Sequence, residues 1–240
     1  SSTLTDPAGN VSLASSGLPI TIDTTGPQSL APDVIASSDT GVSDADNITN
    51  DTTPTITFTG QTTGDVITVN ASNGVTTVSC VYTVGANTNC TLGALSNGTW
   101  TISASVTDAA GNTGTTQSLD ISVDTTPPTA PSGVDLVTAS DTGNSSTDNN
   151  TNDTTPTMSA SGGTSGDTMT ISATNGTTTV SCTYVIGAAT NCTLPTLGPG
   201  SWNISSTLTD PAGNTSSSSS ALPITIDTTP PTAPTGVDLL

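Results

Sequence analysis

Apolar and polar residues alternate with a period of two along most of this chain. Trp100, Ile102, Ala104 and Val106 are interleaved with Thr101, Ser103, Ser105 and Thr107, which predicts a strand with one buried and one solvated face. The run Trp202, Ile204, Ser206, Leu208 repeats it. Similar alternation marks Ile56 and Phe58, Ile67 and Val69, Val78 to Tyr82, and Leu119, Ile121 and Val123. The turn signals Asn73-Gly74 and Asn97-Gly98 lie between runs. No stretch carries apolar residues at helical spacing, and Ser, Thr and Val stand where helix formers would be needed. The expectation is an all-β fold with about seven short strands per module, arranged as a two-sheet sandwich.

Self-comparison gives the size of the repeating unit. Cys80 and Cys182, Cys90 and Cys192, Trp100 and Trp202, and Asp51 and Asp153 are each 102 positions apart. The segment Thr5-Asp6-Pro7-Ala8-Gly9-Asn10 returns as Thr209-Asp210-Pro211-Ala212-Gly213-Asn214. A variant, Thr107-Asp108-Ala109-Ala110-Gly111-Asn112, lies between them. A period of this length suits one immunoglobulin-like domain. The expected organisation is the C-terminal part of one module in residues 1–26, whole modules in 27–127 and 128–230, and the start of another in 231–240. These would be stacked head to tail as a rod. Boundaries fall at Asp23-Thr24-Thr25-Gly26-Pro27, Asp124-Thr125-Thr126-Pro127-Pro128 and Asp227-Thr228-Thr229-Pro230-Pro231, where proline removes donors and stiffens the backbone.

The linker Asp124 to Pro128 with Thr129-Ala130-Pro131, the loop Asp141-Thr142-Gly143 followed by Asp148-Asn149 and Asn152-Asp153-Thr154-Thr155-Pro156, and the hairpin Thr209 to Asn214 resemble a known family. They are similar to the bacterial Ig-like tandem repeats of giant calcium-binding surface adhesins and biofilm proteins. The resemblance covers essentially the whole chain. It implies rod-like stalks that hold a terminal adhesive domain away from a cell, stiffened by calcium at module junctions. Relative to that pattern the chain adds a cysteine pair in each whole module.

Composition narrows the chemistry. There is no Lys, Arg or His, and all 19 acidic residues are Asp, for a net charge of -19. General acid–base work and electrostatic clamping near neutral pH usually draw on the missing residue types, so catalysis is not expected. The charge repels nucleic acid and anionic lipid surfaces, so neither is expected as a partner, and cations are the natural counter-species. No apolar run approaches the length of a membrane span, so no membrane insertion is expected in this segment. The first residues carry no signal-peptide pattern, and the chain is expected to be a window of a longer polypeptide.

Cys80 with Cys90, and Cys182 with Cys192, are expected to form one disulfide per module, each closing a hairpin-like loop; buried free thiols are the alternative. The spacing and the absence of His do not suit zinc. Oxidised cysteines would place the protein outside the cell, at the cell surface. Trp100 and Trp202 share the parity of the inward rows and are expected in the core rather than on a carbohydrate-stacking face. Thirteen Asn-x-Ser/Thr sequons, among them Asn10, Asn97 and Asn175, are partly a consequence of the Ser and Thr content.

The aspartates are the one constellation with chemistry. Asp39, Asp46 and Asp51 recur as Asp141, Asp148 and Asp153, whereas Asp44 is replaced by Ser146. Capping of turns is the plain explanation for such residues. Crowded carboxylates without a basic partner instead suit a hard cation, and calcium is the expected cofactor. Head-to-tail stacking should bring Asp39, Asp46 and Asp51 of one module towards linker Asp124 and Asp210 of the next. Asp141, Asp148, Asp153 and Asp227 would repeat the set, and Asp6, Asp23 and Asp108 would form part of the preceding one. Three functions remain open from sequence: a calcium-stiffened surface stalk, a self-assembling filament of identical chains with lateral or strand-exchange contacts, and a carbohydrate- or protein-binding module.

Overall fold

The computed structural model describes residues 1–115 and 117–236; residues 237–240 of the expected next module lie outside them. The first whole module runs β1 (Pro32–Val34), β2 (Ile48–Thr49), β3 (Thr55–Phe58), β4 (Val66–Ser72), β5 (Thr77–Thr83), β6 (Asn89–Thr91), β7 (Gly98–Thr107), β8 (Thr113–Thr115) and β9 (Leu119–Val123). The second runs β10 (Ser132–Leu136), β11 (Asn150–Thr151), β12 (Thr157–Ser161), β13 (Thr168–Thr174), β14 (Thr179–Val185), β15 (Asn191–Thr193), β16 (Gly200–Thr209) and β17 (Leu222–Ile226). Every regular element among the described residues is a strand, as the period of two requires. The additions to the expected seven are short: β2 and β11 have two residues each, and β8 is reduced in the second module to a single bridge between Thr209 and Thr215.

Each module is a sandwich of two sheets. In the first, β1-β3-β6 faces β2-β9-β7-β4-β5, with β8 also on β7; in the second, β10-β12-β15 faces β11-β17-β16-β13-β14. The pairs are antiparallel except β2 with β9 and β11 with β17, which run parallel. Register carries the core. Ile67 lies opposite Val106 and Ala71 opposite Ile102, just as Met169 lies opposite Leu208 and Ala173 opposite Ile204. Ile56, Ile67, Val69, Ile102 and Val106 are wholly buried, and so are Met158, Met169, Ile171, Ile204 and Leu208. The second core trades Phe58 for Ala160 and regains volume by placing Leu208 where the first has Val106, the kind of swap that sandwich cores tolerate.

Trp100 and Trp202 are in the core as expected, and each indole N–H donates to a backbone carbonyl, of Ser96 and Gly198, at 2.9 Å. Both expected disulfides are present, Cys80–Cys90 and Cys182–Cys192, and no cysteine is free. They do not close hairpins. Cys80 is on β5, at the rim of the larger sheet, and Cys90 on β6, at the rim of the smaller, so each bond joins the two sheets.

Residues 1–26 carry no strand, only an isolated bridge between Thr5 and Val11. Leu4, Leu18, Ile20 and Ile22 are exposed there, whereas Leu208, Ile224 and Ile226, the counterparts of Leu4, Ile20 and Ile22 two repeats on, are buried.

Candidate functional site at the module junction

The hairpin at Asp210–Asn214 is built by its own residues. The Asp210 carboxylate accepts the Asn214 backbone N–H at 2.9 Å through Oδ1 and the Asn214 side-chain amide at 2.9 Å through Oδ2. Gly213 takes φ +92°, which only glycine adopts freely. The copies Asp6–Asn10 and Asp108–Asn112 make the same bonds. In both, the Asn10 or Asn112 side-chain amide is the main reason the Asp6 or Asp108 carboxyl titrates below the ordinary carboxylate value.

This hairpin sits on the first module. The Val42 N–H donates to the Pro211 carbonyl at 3.2 Å, and Thr40 Oγ1 lies 3.4 Å from the Ala212 carbonyl. The linker is tied to both sides: the Asp124 N–H donates to the Thr49 carbonyl at 2.9 Å, and the Asn214 side-chain amide donates to the Asp124 carbonyl at 2.8 Å. One junction earlier, the Asn112 amide donates to the Asp23 carbonyl at 3.2 Å. The first loop of one module, the linker and the hairpin of the next thus meet as the repeat predicted.

Their carboxylates are employed locally. Asp46 caps its turn through the Ile48 N–H, Asp51 through Thr53, Asp124 through Thr126, Asp148 through Asn150, Asp153 through Thr155 and Asp227 through Thr229. Asp23 does the same through Thr25. Asp39 and Asp141 differ. Both are buried, and each accepts one N–H through Oδ2, from Asn47 and Asn149, while Oδ1 is left without a hydrogen-bond partner. Burial is the main cause that raises the Asp39 pKa; the nearby charges of Asp46, Asp33 and Asp44 push the same way and the Asn47 N–H opposes them.

Between the linker and the second module lies a cavity of about 270 Å³ whose walls include Asp124, Asp167, Asp210, Pro128 and Thr164. Asp167 is a residue the sequence reading passed over. It is buried, accepts the Thr164 N–H at 2.7 Å, and has Asp65 as its counterpart one repeat earlier; the recurring Gly64-Asp65 and Gly166-Asp167 were the available signal. Carboxylates facing one cavity in a chain without cationic side chains are the donor chemistry of a hard cation. Among the described residues, however, no three of them converge closely enough to form a ready-made metal cage.

Residues 27–125 and 128–228 each match the family model of the bacterial Ig-like domain. The chain belongs to the bacterial Ig-like domain family. Its two matched copies bear out the resemblance to tandem bacterial Ig-like repeats. Solved structures similar to the chain include the FN1–FN3 domains of chicken CNTN1, at 14% identity and a TM-score of 0.55, over 84% of this chain and 65% of that one. The chain therefore spans slightly under two thirds of that structure, and the likeness is one of fold. Others are the BSP domain of a biofilm-associated protein, at 23% identity and a TM-score of 0.28 over 85% of this chain and 30% of that one, and a tetra-tandem repeat from the extending region of a large adhesion protein, at 20% identity and a TM-score of 0.30 over 92% and 55%. No curated protein matches the chain. Ig-like and fibronectin-like domains are typically structural modules, and no helix among the described residues is long and apolar enough to cross a membrane.

Proposed function

We propose that these bacterial Ig-like modules form a stalk or fibre segment of a large extracellular protein at the cell surface, with no enzymatic role of their own. The observation that carries this reading is the junction itself. A hairpin, a linker and a loop from successive modules are hydrogen-bonded together, so that the chain is organised to transmit position along its length. One disulfide per sandwich supports an oxidising location. With both tryptophans in the core, a carbohydrate-stacking role has little to rest on.

Calcium at the junction belongs to the same proposal. The residues that would hold it are Asp124, Asp167 and Asp210 around the cavity, with Asp39, Asp46 and Asp51 on the loop of the first module whose Thr40 and Val42 meet the same hairpin. The ion would supply charge neutralisation between carboxylates that otherwise repel one another. The unpartnered, buried Oδ1 atoms of Asp39 and Asp141 support a cation requirement on this face of each module.

Small-angle scattering of the chain in millimolar calcium and then in chelator tests the reading. The expected result is a longer, narrower distribution of dimensions and a higher melting temperature with calcium. Equal dimensions and melting temperatures would remove calcium from the account, and a compact particle in both would remove the stalk. Lateral association of identical chains is a second reading. It is favoured by β5 and β14, which pair on one side only and carry no charge, with Val81 and Val185 exposed. Lateral order in electron micrographs would decide for it.

A further inference from the structure

The contact between Gly41 and Gly213 is too close for any other residue on either side. A Cβ on Gly41 would lie 2.2 Å from the Pro211 carbonyl oxygen and 2.8 Å from the Ala212 carbonyl carbon. A Cβ on Gly213 would lie 2.9 Å from Gly41 Cα. The obstacles are backbone atoms, which no rotamer change can move aside. Ala212, in the middle of the hairpin, is 1% exposed, whereas its copies Ala8 and Ala110 are exposed.

The socket is built before anything enters it. Thr40 Oγ1 donates to Asn50 Oδ1 at 2.7 Å and accepts the Asn50 N–H at 2.9 Å. In the second module Thr142 Oγ1 does the same with Asn152, at 2.8 and 2.9 Å. Gly41 and Gly143 share one backbone conformation, φ +113° and +109°, yet a Cβ on Gly143 would meet nothing within 4 Å. On the knob side Gly213, Gly111 and Gly9 have φ +92°, +89° and +87°, and Cβ atoms on Gly111 and Gly9 would also meet nothing.

We propose that the Asp-Thr-Gly loop and the Asp-x-Ala-Gly-Asn hairpin are a knob and socket that set the angle between successive modules. Asp141–Gly143 with Asn152 is the same socket, and its partner is the Asp-x-Ala-Gly-Asn hairpin of a following module in the same polypeptide. The covalent linker supplies the high effective concentration that lets so small a contact hold. This rests on the stalk reading and names the surface that would stiffen it.

The structure supplies matched controls. Gly41→Ala and Gly213→Ala carry the same backbone strain as Gly143→Ala and Gly111→Ala, but only the first two drive a methyl group into the opposite module. Residual dipolar couplings in the parent chain should fit one alignment tensor for both modules. Gly41→Ala and Gly213→Ala should each split it into two, with both modules still folded by their amide spectra, while Gly143→Ala and Gly111→Ala keep it single. In a chain lengthened by one more module after Pro231, Gly143→Ala should free the new junction. The proposal is overturned if Gly41→Ala and Gly213→Ala keep a single tensor, if all four variants split it alike, or if Gly143→Ala leaves the added junction stiff. A stiff parent with an unaffected Gly41→Ala variant sinks only the knob and socket. A parent with two unrelated tensors, in calcium and in chelator, counts against the stalk as well.

Discussion

Cys80 and Cys90 lie on the rim strands of opposite sheets, 6.1 Å apart at Cα, so that one covalent bond spans the open side of the first sandwich. Cys182 and Cys192 do the same at 5.8 Å in the second. Closing a loop of this length restricts the unfolded chain by about 3 kcal/mol in the chain-entropy account. Reduction should therefore lower the melting temperature of each module by roughly 10–20 °C. The double substitution Cys80→Ser and Cys90→Ser should lower the first module alone. Calorimetry with and without reductant checks this, and superimposable traces would show that the bonds add nothing.

Ser206 offers a gain rather than a loss. It is 1% exposed, and its hydroxyl has no hydrogen-bond partner, whereas Ala104 stands at the same place in the first module. A buried polar group left unpaired costs about 1–3 kcal/mol. Ser206→Ala should stabilise the second module by about 1 kcal/mol, read as a higher midpoint in urea with an unchanged slope. A lower midpoint would mean that the hydroxyl is satisfied by solvent inside the sandwich.

Much of this was legible in the sequence because it depends on parity and on repetition. The alternation around Trp100 decides which residues face inward, and the 102-residue spacing of Cys80 and Cys182 decides where modules begin. The three copies of the Asp-x-Ala-Gly-Asn segment were sufficient to place a hairpin at each junction. What parity cannot tell is which sheet a strand joins. The Cys80–Cys90 bond therefore read as the closure of a hairpin, although β5 and β6 diverge into different sheets. Asp167 escaped notice for a related reason: from the loop before β13 it lines the same cavity as linker residues Asp124 and Pro128, a neighbourhood that only the folded chain creates. The burial of Asp39 was equally hidden, since a polar loop of this composition reads as solvated throughout.

Trypsin should leave the chain uncut even after full unfolding, because it cleaves after Lys or Arg and the sequence contains neither. Mass spectrometry of the urea-unfolded, reduced chain after overnight digestion checks it. Any specific fragment would contradict the sequence itself.

Asp39 makes the sharpest prediction about pH. Its buried carboxyl titrates above the ordinary value of 3.8, chiefly through burial, with Asp46, Asp33 and Asp44 adding repulsion. A raised native pKa means that the folded state binds the proton more tightly than the unfolded chain. The first module should therefore gain stability from Asp39 as pH falls through its native pKa towards 3.8, and lose that gain as pH rises again. Asp108 runs the other way. Its pKa is lowered by the Asn112 amide, so its contribution is complete above 3.8 and disappears as pH falls below that value. Asp39→Asn keeps an oxygen for the Asn47 N–H and removes the buried charge. In chelator at neutral pH it should raise the stability of the first module by about 1 kcal/mol, and the advantage should shrink as the parent protonates on acidification. Added calcium should stabilise the parent more than the variant, since Asp39 is among the proposed ligands. Denaturation of both chains from pH 7 to pH 4, with calcium and with chelator, measures each part. A variant less stable than the parent in chelator would show that the charge is compensated within the loop. An equal response to calcium in both chains would take Asp39 out of the cation site.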